Sequence, residues 1–220
     1  MSIMALYILA NGFMNHNTFK NFKIINIFSK LHKIFLAKKN QNIAGNWHED
    51  FIIHLASIIR PKIYLELGLY KCELFNKIIP FADKLIGVDV SLESKRYMKK
   101  LSKTEFVHSS TKTYSEHLRK NPIKINLLFI DADHSSESVL NDFQNYFPFV
   151  SDQGIILLHD TYPKNKFYAQ KGYCGDCYKA IEKLSKYSNK YEMITIPVHP
   201  GLTLCRKKQE RKQLQLNNSF

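Results

Sequence analysis

Two hydrophobic periods alternate along this chain. From Lys62 onward, short apolar runs bounded by polar residues appear at Lys62 to Gly68, Lys84 to Asp89, Glu105 to His108, Ile125 to Asp131, Gly154 to His159, Tyr191 to Pro197 and Leu202 to Arg206. Runs of this length and composition suit strands buried on both faces of a sheet. Between them lie segments with apolar residues at helical spacing, at His48 to Arg60, Leu74 to Ile79, Leu92 to Leu101, Thr113 to Lys120, Ser136 to Phe149 and Tyr178 to Tyr187. Strands and helices in this alternation predict an α/β fold, a Rossmann-like doubly wound, mostly parallel sheet of seven strands. The last two strands are joined only by His199-Pro200-Gly201, which suits a hairpin and so puts one antiparallel strand at the sheet edge.

Two runs end in acid and imidazole groups, Ile125-Asn-Leu-Leu-Phe-Ile-Asp131-Ala-Asp133-His134 and Gly154-Ile-Ile-Leu-Leu-His159-Asp160-Thr161. In open α/β sheets ligands collect at the carboxyl ends of strands, so these ends are the place to seek chemistry. Asp131 and Asp160 would end adjacent strands and converge on one hard divalent cation. In the plain alternative, Asp131 and Asp133 cap the following helix and His134 is an ordinary supporting residue. A second constellation is Glu66-Leu-Gly68-Leu69-Tyr70, followed by Asp89 about 20 residues later, which is nucleoside spacing: Gly68 permits close backbone approach and Asp89 accepts from ribose hydroxyls. Only one glycine of a dinucleotide fingerprint is present, and a turn glycine with a helix-capping Asp89 is the structural alternative.

Together these motifs resemble class I S-adenosylmethionine-dependent methyltransferases, and more narrowly the small-molecule O-methyltransferase branch with caffeoyl-CoA, catechol and bacterial sugar enzymes. The resemblance runs from about Ile63 to Arg206. It implies S-adenosylmethionine as cofactor, held by Glu66, Gly68, Leu69, Tyr70, Asp89, Val90, Ser109, Ser110 and Asp131. It also implies a divalent cation, magnesium by preference, held by Asp131, His159 and Asp160, with Asp131 and His134 as the catalytic pair and His134 as general base. Cys72 and Leu74 depart from the family, standing where many relatives have glycine and a small hydroxyl residue. Trp47, Tyr162, Tyr168, Tyr173 and His199 are candidates for the acceptor pocket or for ordinary packing.

Composition adds boundaries. The 220 residues, 45% hydrophobic, suit one core plus an appendage: an N-terminal helical extension and linker over 1–46, the methyltransferase domain over 47–206, and a charged flexible tail over 207–220. The formal charge of +13 is concentrated at the ends, with six lysines and no acid from Lys20 to Lys39. Within that stretch Ile24, Ile27, Phe28, Leu31, Ile34 and Phe35 share one helical face, so this basic amphipathic helix would pack on the core, pair in a homodimer, cap the substrate site or lie on a membrane surface. Ile3 to Ala10 is too short to span a bilayer and lacks a basic flank before it. Four cysteines are too few for a disulfide scaffold, which fits a cytoplasmic setting, and Cys174-Gly-Asp-Cys177 reads as ordinary thiols or as half a zinc or redox motif. The leading expectation is methylation of a small-molecule acceptor on a sugar or phenolic hydroxyl. Methylation of nucleic acid, suggested by the charge, and non-catalytic cofactor or membrane-surface binding are the alternatives.

Overall fold

The computed structural model describes residues 46–186 and 189–208. The expected N-terminal helix over Phe19 to Leu36, the apolar stretch Ile3 to Ala10 and most of the charged tail lie outside the described residues. Among the described residues, no helix is long and apolar enough to cross a membrane.

The chain runs α1 (Trp47–Ile59), β1 (Ile63–Leu67), α2 (Glu73–Ile78), β2 (Lys84–Asp89), α3 (Ser94–Tyr97), β3 (Thr104–His108), α4 (Thr111–Lys120), β4 (Ile125–Ile130), α5 (Ser136–Tyr146), β5 (Val150–His159), α6 (Cys177–Ser185), β6 (Tyr191–Ile196) and β7 (Leu202–Lys207). A single turn of 3₁₀-helix, Phe147–Phe149, joins α5 to β5. The seven strands are ordered β3-β2-β1-β4-β5-β7-β6. Strands β1 to β5 are mutually parallel, and β7 runs antiparallel to both β5 and β6. The antiparallel pairing therefore sits at one end of the sheet, with β6 outermost.

The pleat sends alternate residues of each strand to opposite faces, and both faces are apolar. On one side Leu65, Leu67, Ile86, Val88, Leu128, Ile130, Ile156 and Leu158 pack beneath Tyr114 and Leu118 of α4, Val139, Phe143 and Tyr146 of α5, and Ala180 and Leu184 of α6. On the other, Tyr64, Leu85, Leu127, Phe129 and Leu157 meet Ile52 and Ala56 of α1 and Phe75 and Ile78 of α2. Double burial explains why these strands read as continuous apolar runs.

Two elements differ from the sequence expectation. The helix expected from Leu92 to Leu101 closes after one turn, because Met98 becomes extended and the Asn76 side chain takes over the backbone, donating to the Tyr97 carbonyl (2.8 Å) and accepting from the Lys99 amide (2.9 Å). A long-range partner of this kind leaves no local signal. Strand β5 begins at Val150, four residues before Gly154, through a register irregularity opposite Ile125 to Leu127.

Chain order reverses between β1 and β4, so the switch-point crevice opens where their carboxyl ends meet. The Gly68 amide donates to the Val88 carbonyl and the Asp131 amide to the Leu67 carbonyl, both at 2.9 Å, which fixes the two loops side by side.

Behind this crevice Asp142 of α5 is buried, and burial, only partly offset by a hydrogen bond with the Thr111 side chain, raises its carboxyl from 3.8 to about 6. A carboxyl that binds its proton more tightly when folded adds stability below about pH 4 and loses it as pH rises toward 6. Asp142→Asn should therefore raise stability at pH 7 by about 1–3 kcal/mol and flatten the pH dependence between those values, as read by urea unfolding at several pH values.

Candidate active site at the switch point

The turn after β1 is shaped by unusual backbone. Gly68 has φ of +84°, and a Cβ there would collide with the Asp131 backbone. Only glycine lets the two loops touch. Tyr70 and Cys72 also have positive φ (46° and 54°), which is uncommon for non-glycine residues and is sustained only where surrounding bonds impose it. Asp89 supplies those bonds. One of its oxygens accepts from the Leu69 amide (2.8 Å), the Tyr70 amide (3.2 Å) and the Ser94 hydroxyl (3.1 Å), while the other accepts from the Ser91 amide (2.7 Å). The carboxylate at the end of β2 thus holds the turn at the end of β1, and its Ser91-bonded oxygen retains a lone pair for a ligand.

A cleft of about 870 Å³ opens along these strand ends. Of the residues expected to hold the cofactor, Gly68, Leu69, Tyr70, Asp89, Val90, Ser109, Ser110 and Asp131 line it. Glu66 does not: it is buried, with the Tyr64 hydroxyl donating to it at 2.5 Å, and burial drives its carboxyl well above the usual range. Lys71, Ser91, Ser94, Tyr97, Thr111 and Ser138 also line the cleft and were not anticipated. Ser91 and Ser94 carried a signal, being two and five residues past a strand-ending aspartate. Tyr97 depended on the early closure of α3.

At the rim, Asp131, His134 and Asp160 bring one ligand atom each within 4.8 Å of one another, an arrangement able to hold a metal ion. The register that pairs Ile130 with Leu158 places the ends of β4 and β5 together. Asp160 adopts φ of +58°, leaving the strand direction abruptly. His134 Nδ1 lies 3.1 Å from Asp160 and donates to the Tyr173 carbonyl at 2.5 Å, while its Nε2 lies 3.5 Å from Asp131. His159 stands behind: its Nδ1 meets Asp131 at 2.9 Å, and its buried Nε2 has no partner among the described residues. In this geometry His134 stands with Asp131 and Asp160, while His159, expected among the metal ligands, bonds to Asp131 from behind. Asp131 and Asp133 do not cap α5, whose first amides are accepted by Ser135 and Asp176 instead.

The electrostatics follow from that crowding. The hydrogen bond with Asp131 is the main cause that lifts His134 to about 9, against opposing burial. Burial would raise Asp131, but the adjacent His159 and His134 outweigh it and hold the carboxyl well below its usual range. Burial also opposes charging of His159, and Asp131 overcomes it in the upward direction. His48 of α1 packs tilted against His159 with centroids 4.2 Å apart, and burial first, then the charge on His159, lowers it to about 4. The cluster sets the charged His134 imidazole against two carboxylates while His48 stays neutral.

Cys174 and Cys177 are free, buried thiols raised by burial, Cys174 to about 12 and Cys177 further still, which is the opposite of a reactive pair. Trp47 donates to the His199 carbonyl at 2.8 Å and packs as part of the scaffold. Tyr162, Tyr168, Tyr173 and His199 belong to the loop region beside the cluster.

Residues 68–161 match the family model described as a methyltransferase domain. Over that stretch the sequence is similar to a methyltransferase domain. Its fold is shared with Podospora anserina methyltransferase PaMTH1 in its SAH-bound structure, at 18% identity and a TM-score of 0.61 over 74% of this chain and 78% of that one. An O-methyltransferase from Bacillus cereus, in complex with SAH, is 11% identical with a TM-score of 0.63 over 82% and 91%. The N-methyltransferase NodS from Bradyrhizobium japonicum is 12% identical with a TM-score of 0.56 over 77% and 99%. No curated protein matches the sequence.

The turn that lines the cleft tolerates no Cβ at position 68. Gly68→Ala is expected to lower stability by about 1–3 kcal/mol, through positive φ and displacement of the Asp131 loop, with a matching drop in the urea midpoint.

Proposed function

We propose that the chain transfers a methyl group from S-adenosylmethionine to a hydroxyl of a small-molecule acceptor, at a site completed by a divalent cation, magnesium by preference. The observation that carries this reading is the convergence of Asp131, His134 and Asp160 at the rim of a cleft lined by Gly68, Asp89 and Ser110. The donor set fits: the two carboxylates of Asp131 and Asp160 suit a hard cation with oxygen ligands, and the His134 imidazole stands beside them.

When bound, the cofactor supplies the electrophilic methyl and the cation supplies acidification and orientation of the acceptor hydroxyl. The protein's own residues do the rest. Asp89 keeps the Gly68 to Tyr70 turn in place and offers an oxygen to ribose. Asp131 and Asp160 hold the acceptor side in register with the cleft, and positioning of two bound reactants supplies much of the acceleration. His134 is charged near neutral pH because Asp131 and Asp160 favour its proton. With the cation held by Asp131 and Asp160 and their charge neutralised, His134 would stay off the metal, its Nδ1 donating to the Tyr173 carbonyl and its Nε2 free to take the acceptor proton as the O–C bond forms and the S–C bond breaks. A hydroxyl gains more from this arrangement than an amine, whose neutral form already carries a nucleophilic lone pair.

Calorimetric titration of S-adenosylmethionine, with and without magnesium, tests the assignment. Asp89→Ala should weaken cofactor binding by about tenfold or more, whereas Asp160→Ala, outside the cleft lining, should retain cofactor binding and abolish the heat of magnesium binding. An absence of cofactor binding by the unaltered protein overturns the reading.

A further inference from the structure

The connection from Thr161 to Asp176 is pinned to the cation cluster at both ends and is otherwise built of aromatic and basic residues. It leaves β5 at Asp160, and the Tyr162 amide donates to the Pro200 carbonyl at 2.8 Å. It returns where the Asp176 amide donates to the His134 carbonyl at 3.1 Å and Asp176 accepts from the Ser136 amide at 2.6 Å. Gly175 lies so close to the His134 backbone that no Cβ fits. The Tyr173 carbonyl contacts His134 Nδ1 directly.

Within this connection Phe167, Tyr168 and Tyr173 pack edge-on or tilted against one another with centroids 4.8 to 5.7 Å apart, and Tyr168 packs tilted against His199 at 4.4 Å. Phe167, Tyr173 and Tyr162 nonetheless remain about half exposed, at 51%, 45% and 48%. A cluster of exposed aromatic rings beside a reaction centre is poor use of apolar surface unless a ligand covers it. The same stretch carries Lys164, Lys166 and Lys171, all exposed, and no acid between Asp160 and Asp176. None of the three makes an ion pair among the described residues.

We propose that this connection is the acceptor platform and that it selects a hydroxylated sugar ring bearing a phosphate group: the aromatic rings cover an apolar ring face, the lysines take the phosphate, and a ring hydroxyl reaches the Asp131, His134 and Asp160 cluster. This deepens the methyltransferase reading and rests on it. An uncharged phenol would leave three lysines without a role, and a phosphate alone would leave the rings uncovered.

Trp47, the only tryptophan in the chain, bonds to the His199 carbonyl and so reports on the platform. Its emission is to be followed as hexose 1-phosphates (glucose, galactose and mannose), their methyl glycosides, inorganic phosphate and catechol are titrated into protein saturated with S-adenosylhomocysteine and magnesium. At least one hexose 1-phosphate is expected to bind about tenfold or more tightly than its methyl glycoside and than inorganic phosphate, with an affinity that falls as salt rises. Combining Lys164→Ala, Lys166→Ala and Lys171→Ala should remove the advantage over the glycoside, and Phe167→Leu should weaken sugar phosphate and glycoside alike. Calorimetry of S-adenosylhomocysteine on each variant should give unchanged cofactor binding, which separates this proposal from the one beneath it. Equal affinity for phosphorylated and plain sugars, tighter binding of catechol, or a triple variant that keeps the phosphate preference overturns the platform while cofactor binding stands. Loss of cofactor binding by the unaltered protein overturns the methyltransferase reading itself.

Discussion

The contact between Gly68 and the Asp131 backbone sets the geometry on which the rest depends. It joins the ends of β1 and β4 at the point where chain order reverses, and leaves no space for a side chain. Because the two loops touch, the carboxylate of Asp131 faces the cleft on one side and the acidic and imidazole groups after β5 on the other. The cofactor side and the acceptor side of the site therefore share one residue. Substitutions that move Asp131 act on both.

Around that contact the site is held by polar groups reaching across elements. Asp89 of β2 fixes the turn after β1, His159 of β5 fixes the Asp131 carboxylate after β4, and Asp176 fixes the start of α5 while anchoring the returning loop to His134. Each bond joins a strand end to a different strand or loop, so their order depends on the sheet register below. Double burial of β1, β4 and β5 makes that register expensive to shift, since slippage by one residue would exchange the apolar sets of the two faces.

The fold was legible because buried parallel strands leave a signal in consecutive residues. Runs such as Ile125 to Ile130 and Tyr64 to Leu67 identify themselves, and their acid or glycine endings mark the crevice. What escaped was tertiary in origin. Asn76 ends α3 from another helix, His48 of α1 packs against His159, and Glu66, expected beside the cofactor, instead turns inward to Tyr64. The placing of the two histidines belongs to the same class: His159 ends β5 and bonds to Asp131 from behind, while His134, four residues past β4, stands with Asp131 and Asp160.

The charge distribution completes the argument. The chain is strongly basic, yet the centre of the site is acidic groups neutralised by histidine. Two neighbouring carboxylates, one buried and one partly buried, are costly unless positive charge accompanies them, and the His134 imidazolium supplies it. Imidazolium is a replaceable counter-charge, unlike lysine or arginine, because it can surrender a proton near physiological pH when another cation takes its place. Arginine in the position of His134 would balance Asp131 and Asp160 permanently and close the site to metal. Histidine at that position orders the carboxylates while leaving them available to a cation, which is what the proposed reaction would require of it.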